Sequence, residues 1–142
     1  MTSATLDSSV YVRALHFGGP GALLIGHARA GRIRIDISDP IVDETMRVLR
    51  DKFSWDGYMV QEARRSLLSF SRRVSPTATV NIVKEDPEDD RILECAAEAK
   101  SDFIVTEDKD LLRVGRFGPA KIVTIREFVR LALTQGEIRR GE

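Results

Sequence analysis

The feature that most constrains this chain is a repeated alternation of short strand-like runs with helix-like stretches. Arg32-Ile33-Arg34-Ile35-Asp36-Ile37 alternates polar and apolar side chains, the period of a strand. Asp102-Phe103-Ile104-Val105-Thr106 and Lys121-Ile122-Val123 are short apolar runs, and Ala4-Thr5-Leu6 is a first strand. Between them lie helical segments. One follows Asp7, capped by Ser8 or Ser9, and breaks at Gly18-Gly19-Pro20-Gly21. A second covers residues 22–30 and stops at Gly31. A third starts at Ser38 or Asp39 with Pro40 in its first turn, and Ile41, Val42, Thr45, Val48 and Leu49 share one face. After a loop at residues 53–58, a helix is predicted over 59–71. A weaker strand pattern, interrupted by Pro76, spans 74–83, and an acidic turn spans 85–90. Helices over 91–99 and 125–133 complete the series, the last opened by a Thr124/Glu127 capping box.

Strands that alternate with helices in this way predict an α/β domain whose mainly parallel sheet is covered on both faces. At 142 residues the chain suits one domain, read here as residues 1–134 followed by a polar tail over 135–142. Apolar residues make up 42% and charged residues 31%, the balance of a water-soluble fold. Basic and acidic side chains number 22 each, so a nucleic-acid site would have to be local, with cations around an acidic centre. Cys95 is the single cysteine, which excludes an intrachain disulfide and is read as core filler. That usage, with no signal-like start and no long apolar run, points to a cytoplasmic protein away from membranes.

Ligands of open parallel sheets bind beyond the carboxyl ends of the strands. Asp7 follows the first strand directly, and Asp108 follows the Phe103-Ile104-Val105 run. Glu44 borders the apolar stripe of its helix, whereas Asp43 points away into solvent. Asp89 and Asp90 stand near another helix start, and their helical neighbours do not separate them. Each of these acids also has an ordinary role open to it, as a turn residue, a cap or a first-turn acid. Converging carboxylates repel one another unless a cation neutralises them, and all-oxygen ligation suits Mg²⁺ or Mn²⁺.

Several segments resemble the PIN domain family. Leu6-Asp7-Ser8-Ser9-Val10 resembles its opening strand-end motif, with Ser9 where Asn is frequent. Phe17-Gly18-Gly19-Pro20 resembles the break after the first helix in one bacterial subgroup, and Ser38-Asp39-Pro40-Ile41-Val42-Asp43-Glu44 resembles the second motif, its acid falling on Glu44. The stretch from Asp86 to Leu112 resembles the third and fourth motifs, placing the third acid on Asp90, with Asp89 in reserve, and the fourth on Asp108, with Asp110 as helper. Ser9 and Thr106 support the motif.

The resemblance implies a three-layer α/β/α sandwich around a short, mainly parallel sheet. It implies an Mg²⁺- or Mn²⁺-dependent ribonuclease in which Asp7, Glu44, Asp90 and Asp108 hold the metal and carry catalysis. It further implies a homodimeric, VapC-like toxin of a type II pair, blocked by a small antitoxin. The rival reading is a non-catalytic module of the same fold that binds RNA or protein through a weakened metal site.

Arg13, Arg64 and Arg65 are the weaker candidates for steering substrate phosphates. Arg64-Arg65 and Arg72-Arg73 are better read as a solvated helix face. His16 and His27 lack partners at metal-ligand spacing. Trp55 and Tyr58 suit either base stacking or packing.

Overall fold

A computed structural model describes residues 1–80 and 87–135. Seven helices and six strands are seen among them, in the order β1 (Ser3–Leu6), α1 (Ser8–Val12, continued by a π-helical turn Arg13–Phe17), α2 (Gly19–Arg29), β2 (Arg34–Ile37), α3 (Asp39–Phe53), α4 (Gly57–Phe70), β3 (Ser71–Arg73), α5 (Pro87–Ala99), β4 (Phe103–Val105), α6 (Lys109–Val114), β5 (Arg116–Phe117), β6 (Ala120–Val123) and α7 (Ile125–Gln135). The six strands form one sheet in the order β3-β2-β1-β4-β6-β5. All neighbours are parallel except β5 and β6. Helices flank the sheet, giving the expected three-layer α/β/α sandwich with a short, mainly parallel centre.

The chain winds outward from the middle. β1, β2 and β3 run to one edge, and β4 and β6 run to the other. The reversal of direction lies between β1 and β4, where a doubly wound sheet opens a crevice at its carboxyl ends. β1 is buried along its whole length, as a central strand covered on both faces must be. Its neighbour β2 is nearly as enclosed, with Ile35, Asp36 and Ile37 all buried.

Some local expectations are corrected. The third strand is Ser71–Arg73, not the 74–83 run, of which residues 74–80 form no strand and 81–83 lie outside the described residues. β3 has no apolar content because it is an edge strand held by charge. Arg72 reaches the buried Asp36 at 3.3 Å and donates to the Ala99 carbonyl, while Arg73 makes a two-bond pair with Asp39. Arg72 and Arg73 are therefore on a strand rather than a helix face. α5 begins at Pro87 rather than residue 91, so Asp89 and Asp90 belong to its first turns. Residues 85–86 of the expected acidic turn, and 136–142 of the expected tail, lie outside the described residues.

The helix after β1 is capped by Asp7 itself, not by Ser8 or Ser9. Gly18, at φ 81°, ends the π-helical turn in a backbone conformation that a side chain would strain. The β5–β6 hairpin has no counterpart in the sequence reading, since two residues are too few to carry a period.

Candidate metal centre

The site begins with the end of β1. The Asp7 backbone N–H is bonded to the Val105 carbonyl at 2.9 Å, which fixes Asp7 beside the exit of β4. Asp7 is extended (φ −62°, ψ 148°), turning its carboxylate to cap α1. Its Oδ1 accepts from the Ser9 N–H at 3.4 Å and the Ser8 hydroxyl at 3.3 Å. Its Oδ2 accepts from the Thr106 hydroxyl at 2.7 Å.

Asp7 is buried, and burial holds its carboxyl above the ordinary value of 3.8. The hydrogen bonds from Thr106 and Ser9 pull it down, and the nearby Asp108 charge pushes it up. A carboxylate set against its own desolvation in this way becomes easier to ionise once a cation stands beside it.

The second strand end supplies Thr106 and Asp108. Thr106 Oγ1, besides donating to Asp7, accepts the Asp108 N–H at 3.0 Å. Asp108 then caps α6, its Oδ1 accepting from the N–H groups of Asp110 and Leu111 at 2.8 and 3.2 Å. Glu107 also lines the cleft and accepts the Ile125 N–H at 2.9 Å, tying the start of α7 to the site.

These strand ends open onto a cleft of about 1160 Å³ whose lining includes the carboxylates of Asp7, Glu44, Asp89 and Asp108. Asp89, Asp108 and Asp110 each offer a carboxylate oxygen within 4.8 Å of the others. The donor set is all oxygen and anionic, which fits a hard divalent cation and no thiolate- or imidazole-loving metal.

Each predicted residue can now be placed. Asp7, Glu44 and Asp108 line the cleft, as does Arg13. Glu44 is partly enclosed and paired with Arg47 one turn on. Ser9 lines the cleft too, and Thr106 stands behind Asp7 as a buried support. Asp110 belongs to the acidic group and is paired with Arg113 at 2.8 Å. Asp90 is buried but is not part of the lining, whereas Asp89 and Ile92, three residues apart on α5, both are. Arg64 and Arg65 lie away from the cleft on α4, paired with Asp43 at 3.3 Å and Glu62 at 2.8 Å.

Lys52 and Arg126 also line the cleft and were not anticipated. The signal for Lys52 was present: Ile41, Glu44, Val48 and Lys52 recur at three- and four-residue steps along α3, and all four line the cleft. Arg126 follows the strand end of β6, where the same rule that found Asp7 and Asp108 would have pointed.

A PIN domain family model matches residues 3–110. The chain belongs to the PIN domain family. The match runs from β1 into α6 and so takes in every acid of the cleft. No curated protein matches the chain. PIN domains are generally nucleases that act on nucleic acid with divalent metal ions, and the acidic group of this PIN domain can hold such an ion. Among the described residues, no helix of this PIN domain is long and apolar enough to cross a membrane.

Proposed function

We propose that this PIN domain is an endoribonuclease dependent on Mg²⁺ or Mn²⁺. The observation that carries this reading is the meeting of Asp7, Glu44, Asp89 and Asp108 on one cleft at the reversal point of the sheet. Asp7 and Asp108 are the core of the ligand set, because Thr106 donates to the Asp7 carboxylate and accepts the Asp108 backbone N–H, tying the two strand ends together. Asp89 is the third ligand in preference to Asp90, since Asp89 is the one on the cleft and in the acidic group. Glu44 closes the set from α3, with Asp110 as helper.

A bound divalent ion would supply a water acidic enough to attack at neutral pH and a positive charge on the cleaving phosphodiester. The protein's own part is to place the phosphate. Arg13, Lys52 and Arg126 on the cleft wall offset the acids and hold adjacent phosphates of the strand. Net charge is zero, so this local arrangement, not a general positive field, selects nucleic acid.

The cellular reading is a cytoplasmic homodimeric toxin of a type II pair, silenced by an antitoxin. It is supported by the likeness of the Phe17-Gly18-Gly19-Pro20 break to one bacterial subgroup. Growth arrest on expression, relieved by the product of a neighbouring reading frame, would test it.

The test of the activity is cleavage of a single-stranded RNA in Mg²⁺ or Mn²⁺, abolished by chelation and by Asp7→Asn. Cleavage that survives either treatment refutes it. A strand that is bound but never cut with any divalent ion would identify a non-catalytic binding module instead.

A further inference from the structure

The mouth of the cleft carries an aromatic cluster that the acidic chemistry does not use. Phe17, at the end of the π-helical turn, lines the cleft and is 70% exposed. Phe53, at the end of α3, lines it as well, and the two rings meet edge to face with centroids 5.7 Å apart. His16 packs against both, at 4.7 Å from Phe17 and 4.3 Å from Phe53. Behind them the half-buried Trp55 directs its indole N–H to His16 Nδ1 at 3.2 Å. Two ring neighbours, His16 and Phe53, hold Phe17 at the rim, and Trp55 in turn holds His16.

Its surroundings say what it would meet. Arg13 lies on the same turn as Phe17, and Lys52 directly precedes Phe53. Both line the cleft, and among the described residues neither is held in an ion pair. An exposed ring backed by a half-buried one, beside two cations without an ion pair among the described residues, suits a ligand that is at once flat, aromatic and polyanionic. A single strand of nucleic acid has that chemistry, whereas a duplex keeps its base faces covered.

We propose that Phe17 and Phe53 form a stacking platform for a nucleobase of a single-stranded RNA, flanking the phosphodiester held at the acids, with Arg13 and Lys52 taking the neighbouring phosphates. This inference rests on the nuclease reading above. It makes the enzyme selective for unpaired RNA and tolerant of base identity, because stacking reads a face and not an edge pattern.

The experiment separates stacking from charge. The affinity of the full chain, in an Asp7→Asn background with Mg²⁺, is measured by fluorescence anisotropy for an oligouridylate decamer and for an abasic decamer of equal charge. The decamer with bases should bind about tenfold tighter. Phe17→Ala should erase that preference while leaving abasic binding unchanged, and Phe17→Tyr should retain it. A Phe17→Ala protein that keeps the preference overturns the platform. So does a Phe17→Ala protein whose only change is a shift in oligomeric state by sedimentation, which would make the rings a seam between two copies. Metal-dependent RNA cleavage by the protein with Asp7 intact, measured in parallel, distinguishes the two failures. Cleavage without base preference sinks the platform alone, while neither cleavage nor binding sinks the nuclease reading with it. Phe17 is a surface side chain, so an unchanged melting midpoint confirms that the fold is intact.

Discussion

Thr106 donates its hydroxyl to Asp7 Oδ2 over 2.7 Å, joining two residues 99 positions apart, and the same hydroxyl oxygen accepts the N–H of Asp108. One side chain thus ties the Asp7 carboxylate to the backbone of Asp108 on the adjacent strand end. Thr106→Val keeps the shape and removes the donor. It should lower activity or metal affinity by about 10- to 100-fold, the usual effect of losing a partner that orients a ligand. Thr106→Ser should recover most of it. A Thr106→Val enzyme with unchanged metal titration would show that the hydroxyl is only packing.

Asp7→Asn should abolish cleavage and at the same time stabilise the metal-free protein. Burial raises the Asp7 carboxyl above its ordinary 3.8, so the folded chain binds a proton that the unfolded chain has released. Stability from this group is therefore full below the ordinary value and is lost as pH rises through the raised one. Asparagine removes that loss and still caps the helix. The variant's melting midpoint should exceed the parent's at neutral pH without metal, by about 2–4 °C for each kcal/mol relieved. The difference should shrink as pH falls toward 3.8. Adding Mg²⁺ should raise the parent's midpoint and leave the variant's nearly unmoved. Equal midpoints at all pH values would count against the buried charge.

Asp89→Asn and Asp90→Asn should part company. The first removes a carboxylate from the cleft and should cut turnover at least tenfold with little loss of stability. Both residues are buried, but the second lies outside the lining and should act chiefly on the melting midpoint. Matched turnover and stability measurements on the pair decide between them, and the reverse outcome would move the third ligand to Asp90.

Asp36 is the fully buried centre of a charge network. It accepts from Arg34 at 2.9 and 3.2 Å and from the Ser101 hydroxyl at 2.7 Å, and it faces Arg72 at 3.3 Å. Removing one member of such a group strands the rest. Asp36→Ala should destabilise by about 3 kcal/mol in urea unfolding, with β3 loosening first because Arg72 loses its anchor. Arg34 and Arg72 keep part of their surface in water, which sets the loss at the lower end of the range for buried pairs.

Cys95 should resist alkylation in the folded protein. Its thiol is buried, and burial pushes it up to about 11 despite the Thr5 hydroxyl 3.7 Å away. Iodoacetamide at pH 8 should label it only after unfolding.

The parts of this molecule that were legible in sequence are those where one rule acts alone. Asp7 and Asp108 follow short apolar runs, and both stand where those strands end, each capping the next helix and lining the cleft. Asp36 was hidden because its strand alternates as though one face met solvent, while helices on both sides enclose it. β3 was hidden because Ser71-Arg72-Arg73 carries no strand period, and its place is dictated by acids elsewhere in the chain. Asp89 and Asp90 could not be separated by their helical neighbours, since both border apolar residues. Only the position of α5 against the cleft distinguishes them. Lys52 continues the spacing of Ile41, Glu44 and Val48 by one more turn of α3.

The central place of β1 has a consequence for when the cleft can be assembled. Its outer partner β2 is nearby in sequence, but β4 is about a hundred residues away, and Ser3 and Asp102 are bonded across the same seam. Such distant pairings form late. During synthesis Asp7 therefore emerges 99 residues ahead of Thr106, and the two strand ends cannot meet until that intervening stretch has been made. The order of the strands thus makes the acidic cleft one of the last features of this PIN domain to be completed.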